Sequence, residues 1–231
     1  MTKILLVPGL DGSGAAHWQA WWAAVTPGAL LLDWRAPDRP VAEDWEAELA
    51  GAVLQHPGAL IVGHSLGAVT AARALLRWPG LPVAGALLVA PAEPSRSART
   101  CGFGALPRGR LPVPARVVAS RNDPWMGAAE AAEFAQGLGA GLTDLGHAGH
   151  INVESGFGPW PAGRGLGAAL LAGAGAGERP GTWPGPAAAR PVHRRGDRRL
   201  PGAAHGAPPA APTAPAGAAP SRATTWGRCY P

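Results

Sequence analysis

Short apolar runs alternate with helix-like patterns through the first 171 residues of this 231-residue chain. Strands are predicted at residues 4–7, 30–34, 60–62, 83–89, 116–119 and 142–145, and helices at 17–25, 41–55, 68–77, 127–137 and 161–171. Most strand runs are apolar throughout, as expected for strands buried on both faces. Because such alternation is typical of a parallel sheet covered by helices, we predict a three-layer α/β sandwich with a mostly parallel sheet.

Two of the predicted helices differ in how well their sequences suit a stable, packed helix. In the helix over residues 41–55, Trp45, Leu49 and Val53 form an apolar stripe that we expect to face the core. The acidic residues of that helix are expected to face water, namely Glu43, Asp44, Glu46 and Glu48. The final helix is predicted to be weak because it is rich in glycine, each costing about 1 kcal/mol relative to alanine. These glycines are Gly163, Gly165, Gly167, Gly173 and Gly175.

The composition changes after Leu171, where alanine, glycine, proline and arginine begin to dominate. Residues 172–231 contain eleven prolines and keep neither a helical nor a strand-like period. Such a segment buries too little apolar surface to offset the entropy of ordering it. We therefore predict an α/β domain over residues 1–171 and a disordered tail over residues 172–231.

The net charge of +5 belongs to that tail and not to the domain. Residues 172–231 hold eight arginines and two acids, a net +6, which leaves −1 on residues 1–171. No aromatic interleaving accompanies the arginines, so we expect no nucleic-acid partner. The first apolar run has only four residues, too few for a signal peptide or a membrane span, and we expect a cytoplasmic protein without a membrane partner.

The sequence Gly63-His64-Ser65-Leu66-Gly67 lies between a predicted strand and a predicted helix. This G-x-S-x-G pattern in a strand–turn–helix context is typical of a nucleophile elbow, where the serine lies on a strained turn. The alternative is a serine that merely caps the helix after a buried strand. We predict that Ser65 is a catalytic nucleophile.

A serine nucleophile needs a base and an orienting acid, which follow it in the order acid, then histidine, in α/β-hydrolases. Asp123 follows the strand at residues 116–119 and is the predicted acid, although an aspartate before proline is also common in turns. Asp144 is its rival. His150 follows the last strand and is preferred over His147 as the base. Histidines that precede or adjoin the serine are not expected to serve, namely His17, His56 and His64.

Two backbone N–H groups are predicted to form the oxyanion hole. One is that of Leu66, directly after the nucleophile, and the other is that of Leu10, with Asp11 as the next choice. The glycine-rich loop at residues 8–14 lacks the Lys-Ser/Thr of a phosphate-binding loop, so no cofactor is expected. No metal is expected either. Trp125 is predicted to line the substrate pocket, although a packing role fits it equally well.

Several motifs together carry a resemblance to a known family. They are Val7-Pro8-Gly9, His17-Trp18-Gln19, Asp44-Trp45, the elbow at 63–67, Ala119-Ser120-Arg121-Asn122-Asp123-Pro124, and Gly149-His150-Ile151-Asn152 with Gly156-Phe157-Gly158-Pro159-Trp160-Pro161. Over residues 3–171 the chain resembles the small serine hydrolases of the YdeN and retinoblastoma-binding-protein type. The resemblance implies an α/β-hydrolase fold with a minimal lid and a triad of Ser65, Asp123 and His150.

The expected function is hydrolysis of a small ester, thioester or amide through an acyl-enzyme on Ser65. The expected partner is therefore a small-molecule acyl substrate. The alternative is an interaction protein that keeps the fold while its chemistry is idle.

Overall fold

Strands and helices alternate along residues 2–174, the part of the chain that the computed structural model describes. The strands are β1 (Ile4–Val7), β2 (Ala29–Leu31), β3 (Ala59–His64), β4 (Val83–Val89), β5 (Ala115–Ala119) and β6 (Gly141–Asp144). The helices are α1 (Trp18–Val25), α2 (Ala42–Gln55), α3 (Leu66–Arg77), α4 (Ala128–Leu138) and α5 (Pro161–Ala174). The predicted tail lies outside the described residues, except that residues 172–174 continue α5. None of the described helices is long and apolar enough to cross a membrane.

The strands form one sheet in the order β2-β1-β3-β4-β5-β6, and every neighbouring pair is parallel. The predicted parallel α/β architecture is confirmed. The chain adds β2 on one side of β1 and then returns to add β3 on the other. Open parallel sheets bind ligands at such a reversal, outside the carboxyl ends of the strands. The segments that follow β1 and β3 therefore border the expected site.

Each face of the sheet is covered by its own helices, because successive strand residues point to opposite sides. Leu5 and Ile61 belong to the core that α2, α3 and α4 cover. Leu6 and Leu60 belong to the opposite core, which α1 and α5 cover with Trp18, Trp22, Leu166 and Leu170. This arrangement is the predicted three-layer sandwich.

Strand β2 ends earlier than predicted because Trp34 leaves the sheet. The predicted strand covered residues 30–34, whereas β2 ends at Leu31. The Trp34 ring stacks on Trp45 of α2, with ring centres 4.4 Å apart and planes 10° apart. Its Nε1–H donates to the carbonyl oxygen of Pro8 at 3.0 Å. In the sequence alone, an aromatic residue that packs beneath a helix cannot be distinguished from the last apolar residue of a buried strand.

Glu46 of α2 is buried, and the prediction that it faces water is wrong. Its side chain meets Arg73 Nε at 2.5 Å and Arg77 Nη1 at 3.1 Å, both from α3. Because α2 packs against α3 as well as against the sheet, a second strip of its surface is covered. The two arginines satisfy a carboxylate that is only 1% exposed.

The glycines of α5 fall into two groups. A Cβ on Gly163 would overlap the Trp160 ring, and one on Gly167 would lie 3.2 Å from Leu60 Cδ2. These two positions let the helix approach its neighbours. A Cβ at Gly165 or Gly173 would meet no neighbouring atom. These two glycines therefore weaken the helix, as predicted, and no closer packing compensates for it.

Candidate active site

Ser65 lies on the sharp turn between β3 and α3. Its φ of 56° and ψ of −126° form a conformation that is strained for any residue with a side chain. Flanking glycines allow strand and helix to approach so closely. A Cβ on Gly63 would lie 2.7 Å from Ala68 Cα, and one on Gly67 would overlap the carbonyl oxygen of Val7. This is the backbone of a nucleophile elbow.

The loop after β1 approaches the serine from the other side. A Cβ on Gly9 would lie 2.8 Å from Ser65 Cβ, so the position admits only glycine. Within residues 2–174, the N–H groups of Leu10 and Leu66 donate no hydrogen bond to protein. The N–H of Asp11, the second choice in the sequence, already donates to Pro37 O at 2.9 Å. The backbone N–H groups of Leu10 and Leu66 are therefore available to donate to an oxyanion.

Three side chains from distant parts of the chain meet at this edge of the sheet. Ser65 Oγ lies 2.9 Å from His150 Nε2, and His150 Nδ1 lies 3.0 and 2.9 Å from the two carboxylate oxygens of Asp123. A carboxylate only accepts, so Nδ1–H donates to Asp123, and Nε2 is left to accept the Ser65 hydroxyl proton. Ser65 makes no side-chain cap hydrogen bond to α3, contrary to the alternative of a mere helix cap.

The rival residues lie outside this arrangement. Asp144 is exposed at the end of β6, where Arg121 Nε and the N–H of Gly146 each donate to it at 2.7 Å. His147 is exposed in the loop that follows. In contrast, Asp123 is 7% exposed and His150 is 8% exposed. Burial strengthens the hydrogen bond between the latter two, because water competes little for it.

Ser120 and Asn122 hold the loop that carries His150, a role that the sequence patterns did not reveal. Asn122 Oδ1 accepts from the N–H of Gly149 at 2.8 Å. Ser120 Oγ accepts from the N–H of Ala148 at 2.9 Å. Both precede Asp123 in the motif Ser-Arg-Asn-Asp, so one short segment supplies the candidate acid and also fixes the loop that carries His150. The polar residues before the aspartate were the available signal.

The backbone around His150 is fixed from three further directions. Its N–H donates to Ser155 Oγ at 3.0 Å, and its carbonyl oxygen accepts from His64 Nε2 at 3.0 Å. The next carbonyl, that of Ile151, accepts from Trp18 Nε1 at 2.8 Å. The imidazole of His150 is therefore held by its backbone as well as by Asp123.

Three imidazole rings stand in a row beside Ser65. The ring of His64 lies 4.8 Å from that of His17 and 4.9 Å from that of His150. Burial, reinforced by the neighbouring histidines, lowers the pKa of His64 well below its usual value. Burial and His150 lower the pKa of His17 to about 4. Both rings are therefore neutral near pH 7.

A cleft of about 310 Å³ opens over Ser65 and His150. Leu10, Leu66 and Trp125 line it. Trp125 is 38% exposed, and its backbone N–H donates to Asp123 Oδ1 at 2.8 Å. A larger cavity of about 780 Å³ between β2 and α2 is lined by none of Ser65, Asp123 and His150, so the candidate site is the smaller cleft. No group of three or more histidine, cysteine or acidic side chains within residues 2–174 is arranged to hold a metal ion.

A strained serine at the reversal point of a parallel sheet, within reach of a buried histidine, places the chain in the class of α/β-hydrolase-fold proteins. The sequence model of a family described as serine hydrolase matches residues 4–168. The chain belongs to this family and is a hydrolase. The resemblance predicted from the sequence motifs is confirmed.

Solved structures show the same relationship. A YdeN-like hydrolase from Pectobacterium atrosepticum is 32% identical, covers 75% of this chain and 92% of its own, and has a TM-score of 0.69. The ydeN gene product of B. subtilis is 22% identical over 74% of this chain and all of its own, with a TM-score of 0.61. A hydrolase of the alpha/beta superfamily from Xanthomonas campestris is 20% identical over 74% of this chain and 99% of its own, with a TM-score of 0.55. Because the last two structures are only 22% and 20% identical to this chain, they support a shared fold and nothing more specific. No curated protein sequence matches the chain.

Proposed function

We propose that the protein hydrolyses a small ester, thioester or amide through an acyl-enzyme on Ser65, with Asp123 and His150 completing the triad. The observation that carries this proposal is the continuous line of hydrogen bonds from Ser65 Oγ through the two nitrogens of His150 to Asp123. An exposed serine hydroxyl without such a base is a poor nucleophile. The cleft of about 310 Å³ suits a small acyl substrate.

The geometry supports a two-step reaction. His150 Nε2 takes the hydroxyl proton while Ser65 Oγ attacks the acyl carbon, and Asp123 stabilises the imidazolium that forms. The N–H groups of Leu66 and Leu10 stabilise the oxyanion, each contributing about 3 kcal/mol. His150 then gives its proton to the leaving alcohol, thiol or amine. Water, deprotonated by His150, attacks the acyl carbon and releases the acid and free Ser65.

A fluorophosphonate probe tests the nucleophile directly, since it labels only activated serines. We expect wild-type protein to be labelled at Ser65 and the Ser65→Ala variant to lose labelling. The matched control is Ser95→Ala, because Ser95 is exposed and its side chain has no part in the triad. For Asp123→Asn we expect a drop of about 10⁴ in kcat on a 4-nitrophenyl ester, because the imidazole adopts the wrong tautomer.

The same labelling experiment addresses the alternative of an idle interaction protein. Absence of labelling in folded wild-type protein, together with no hydrolysis across ester, thioester and amide substrates, would reject the proposed function. Labelling that persists in Ser65→Ala would assign the chemistry to another residue.

A further inference from the structure

His17 lies at the N-terminus of α1 with its tautomer fixed by the backbone. Its Nδ1 accepts a hydrogen bond from the N–H of Gln19 at 3.2 Å. Only an unprotonated ring nitrogen can accept, so the proton of the neutral imidazole is on Nε2. The ring is held in this orientation by His64, 4.8 Å away, and by Trp18, 5.3 Å away. His17 therefore presents one fixed donor.

That donor has no protein acceptor. Within residues 2–174, no oxygen or nitrogen accepts a hydrogen bond from His17 Nε2, although the residue is only 7% exposed. The side chain lines the same cleft as Ser65 and His150. Nε2 is not among the described side-chain atoms that are sealed from solvent without a partner, so its N–H is open to the cleft and can donate to water. A molecule that displaces this water must supply an acceptor in its place or lose the hydrogen bond.

The charges around the cleft decide what kind of acceptor fits. The carboxylates of Glu93 and Glu154 also line it, and neither forms an ion pair within the described residues. A third acid, Asp11, is neutralised by Arg99 at 2.6 Å. The lowered pKa of His17, about 4, leaves its ring uncharged near pH 7. Two unpaired carboxylates and a neutral donor disfavour an anionic acceptor and suit an uncharged oxygen.

We propose that His17 is a substrate-binding residue whose Nε2–H donates a hydrogen bond to an uncharged oxygen that the substrate carries besides its scissile carbonyl. The inference rests on the proposed function, because it assumes that the cleft over Ser65 holds an acyl substrate. The substrate class is then an acyl compound with a second neutral acceptor, such as a hydroxyl, ether or carbonyl oxygen. The acceptor lies either in the acyl part or in the leaving group.

Two substitutions separate the roles of the two ring nitrogens. In His17→Asn the side-chain oxygen can replace Nδ1 as the acceptor at the helix N-terminus, where asparagine is favoured, but the NH₂ group of the shorter side chain does not reach the position of Nε2. In His17→Gln the longer amide carries an N–H to about the position of Nε2 and gives up the cap. His17→Ser is a second variant that keeps a cap without the donor.

The test measures discrimination between isosteric esters in which one CH₂ is replaced by oxygen. The acyl arm compares 4-nitrophenyl 3-methoxypropanoate with the pentanoate, and the leaving-group arm compares 2-methoxyethyl butanoate with butyl butanoate. For each protein we take the ratio of kcat/KM for the ether ester to kcat/KM for the alkyl ester. Dividing a variant's ratio by the wild-type ratio removes the difference in chemical reactivity between the two esters. We expect this ratio to fall about tenfold in one arm for His17→Asn and His17→Ser, and to be largely retained by His17→Gln.

The possible results are distinct. The role of His17 would be overturned if its variants kept the wild-type ether-to-alkyl ratio of kcat/KM in both arms, or lost activity equally on both esters of each pair. In that case continued hydrolysis and labelling at Ser65 would leave the proposed function intact. Failure of wild-type protein to hydrolyse any of the four esters or to be labelled at Ser65 would overturn both. Fluorophosphonate labelling and urea unfolding of each variant establish that the folded site is present in the comparison.

Discussion

At the scale of single residues, the loop that carries His150 depends on Asn122, whose side chain forms no hydrogen bond with Ser65 or with the His150 imidazole in the described part of the chain. Asn122 Oδ1 accepts from the N–H of Gly149 and from the Ser120 hydroxyl at 2.9 Å. Two hydrogen bonds to one amide oxygen anchor a loop that also contains a left-handed glycine, Gly149, with φ of 56°. Loss of the oxygen frees the backbone immediately before His150.

For Asn122→Ala we therefore expect kcat to fall at least tenfold with KM little changed, because a loosened loop misplaces His150 without removing a substrate contact. Arg121→Ala is the matched control, since among residues 2–174 its side chain forms only an exposed ion pair with Asp144. Steady-state kinetics on a 4-nitrophenyl ester provide the measurement. Equal activity of the two variants would contradict the role of Asn122.

The three residues of the proposed triad could be put forward from the sequence because the order and the places after strands that such residues need follow from the chemistry and the fold. Ser65, Asp123 and His150 each follow a strand end that the apolar runs mark. The supporting roles of Ser120 and Asn122 could not be derived in this way. They depend on which backbone N–H groups the next loop presents, and no periodicity encodes that.

At the scale of elements, α5 shows that identical residues have opposite effects in one helix. Gly165 is exposed with open space at its Cβ position, whereas Gly163 is buried against the Trp160 ring. That ring cannot easily shift, because Trp18 and Phe157 pack edge-on against it. The sequence counts both glycines as weak points, and only the packing distinguishes them.

For Gly165→Ala we expect the free energy of unfolding to rise by about 1 kcal/mol, from the higher helix propensity of alanine. For Gly163→Ala we expect a fall of about 1–3 kcal/mol, because the added methyl overpacks the core. Urea denaturation at neutral pH measures both. Changes of the same sign would mean that α5 does not pack on the sheet through Trp160.

Helix α2 shows why amphipathic patterns miss a second contact surface. The pattern distinguishes an apolar stripe from a polar remainder, and Glu46 belongs to the remainder. Its burial follows from the neighbouring α3, which lies beside α2 because the chain returns through β3. Burial of the carboxylate is tolerated because Arg73 and Arg77 supply the positive charge.

For Glu46→Gln we expect a loss of about 2 kcal/mol in the free energy of unfolding, because Arg73 loses its counter-charge in a largely buried contact, whereas the half-exposed Arg77 is solvated and contributes little. Glu43→Gln, on the exposed side of the same helix, is the control and should change stability by about 0.5 kcal/mol or less. Comparable losses in the two variants, measured in urea, would rule out a special role for the buried pair.

At the scale of the whole molecule, the strand order decides where chemistry is possible. Periodicity predicts parallel strands but not their order, because order depends on which side of the sheet each crossover returns to. The observed reversal at β1 and β3 brings the loop after β1, which contains Leu10, beside the turn at Ser65. The loops after β5 and β6, next to each other at the same edge, then supply Asp123 and His150. Ser65 and His150, 85 positions apart in the sequence, thus meet at one edge of the sheet.

The neutral histidines buried under this edge make the folded state sensitive to mild acid. The pKa of His17 falls to about 4 in the folded protein, against 6.5 for the free side chain, and that of His64 is lowered too. The unfolded chain therefore binds more protons below pH 6.5, and stability falls with decreasing pH. The pKa values of Glu130 and Asp144 are also lowered, which favours the folded state at higher pH. These two carboxylates change the stability only below about pH 4.5, so the change in stability above pH 5 comes from the histidines.

We therefore expect the free energy of unfolding to decrease between pH 7 and pH 5 more steeply in wild-type protein than in His17→Asn. The difference should reach about 2 kcal/mol at pH 5, since each pH unit below 6.5 contributes about 1.4 kcal/mol for one such group until its folded pKa is approached. Urea unfolding at half-unit pH steps measures both slopes, and the difference should level off near pH 4. Parallel curves for the two proteins would show that His17 is not buried in its neutral form, and the fixed donor inferred at its Nε2 would lose its physical basis.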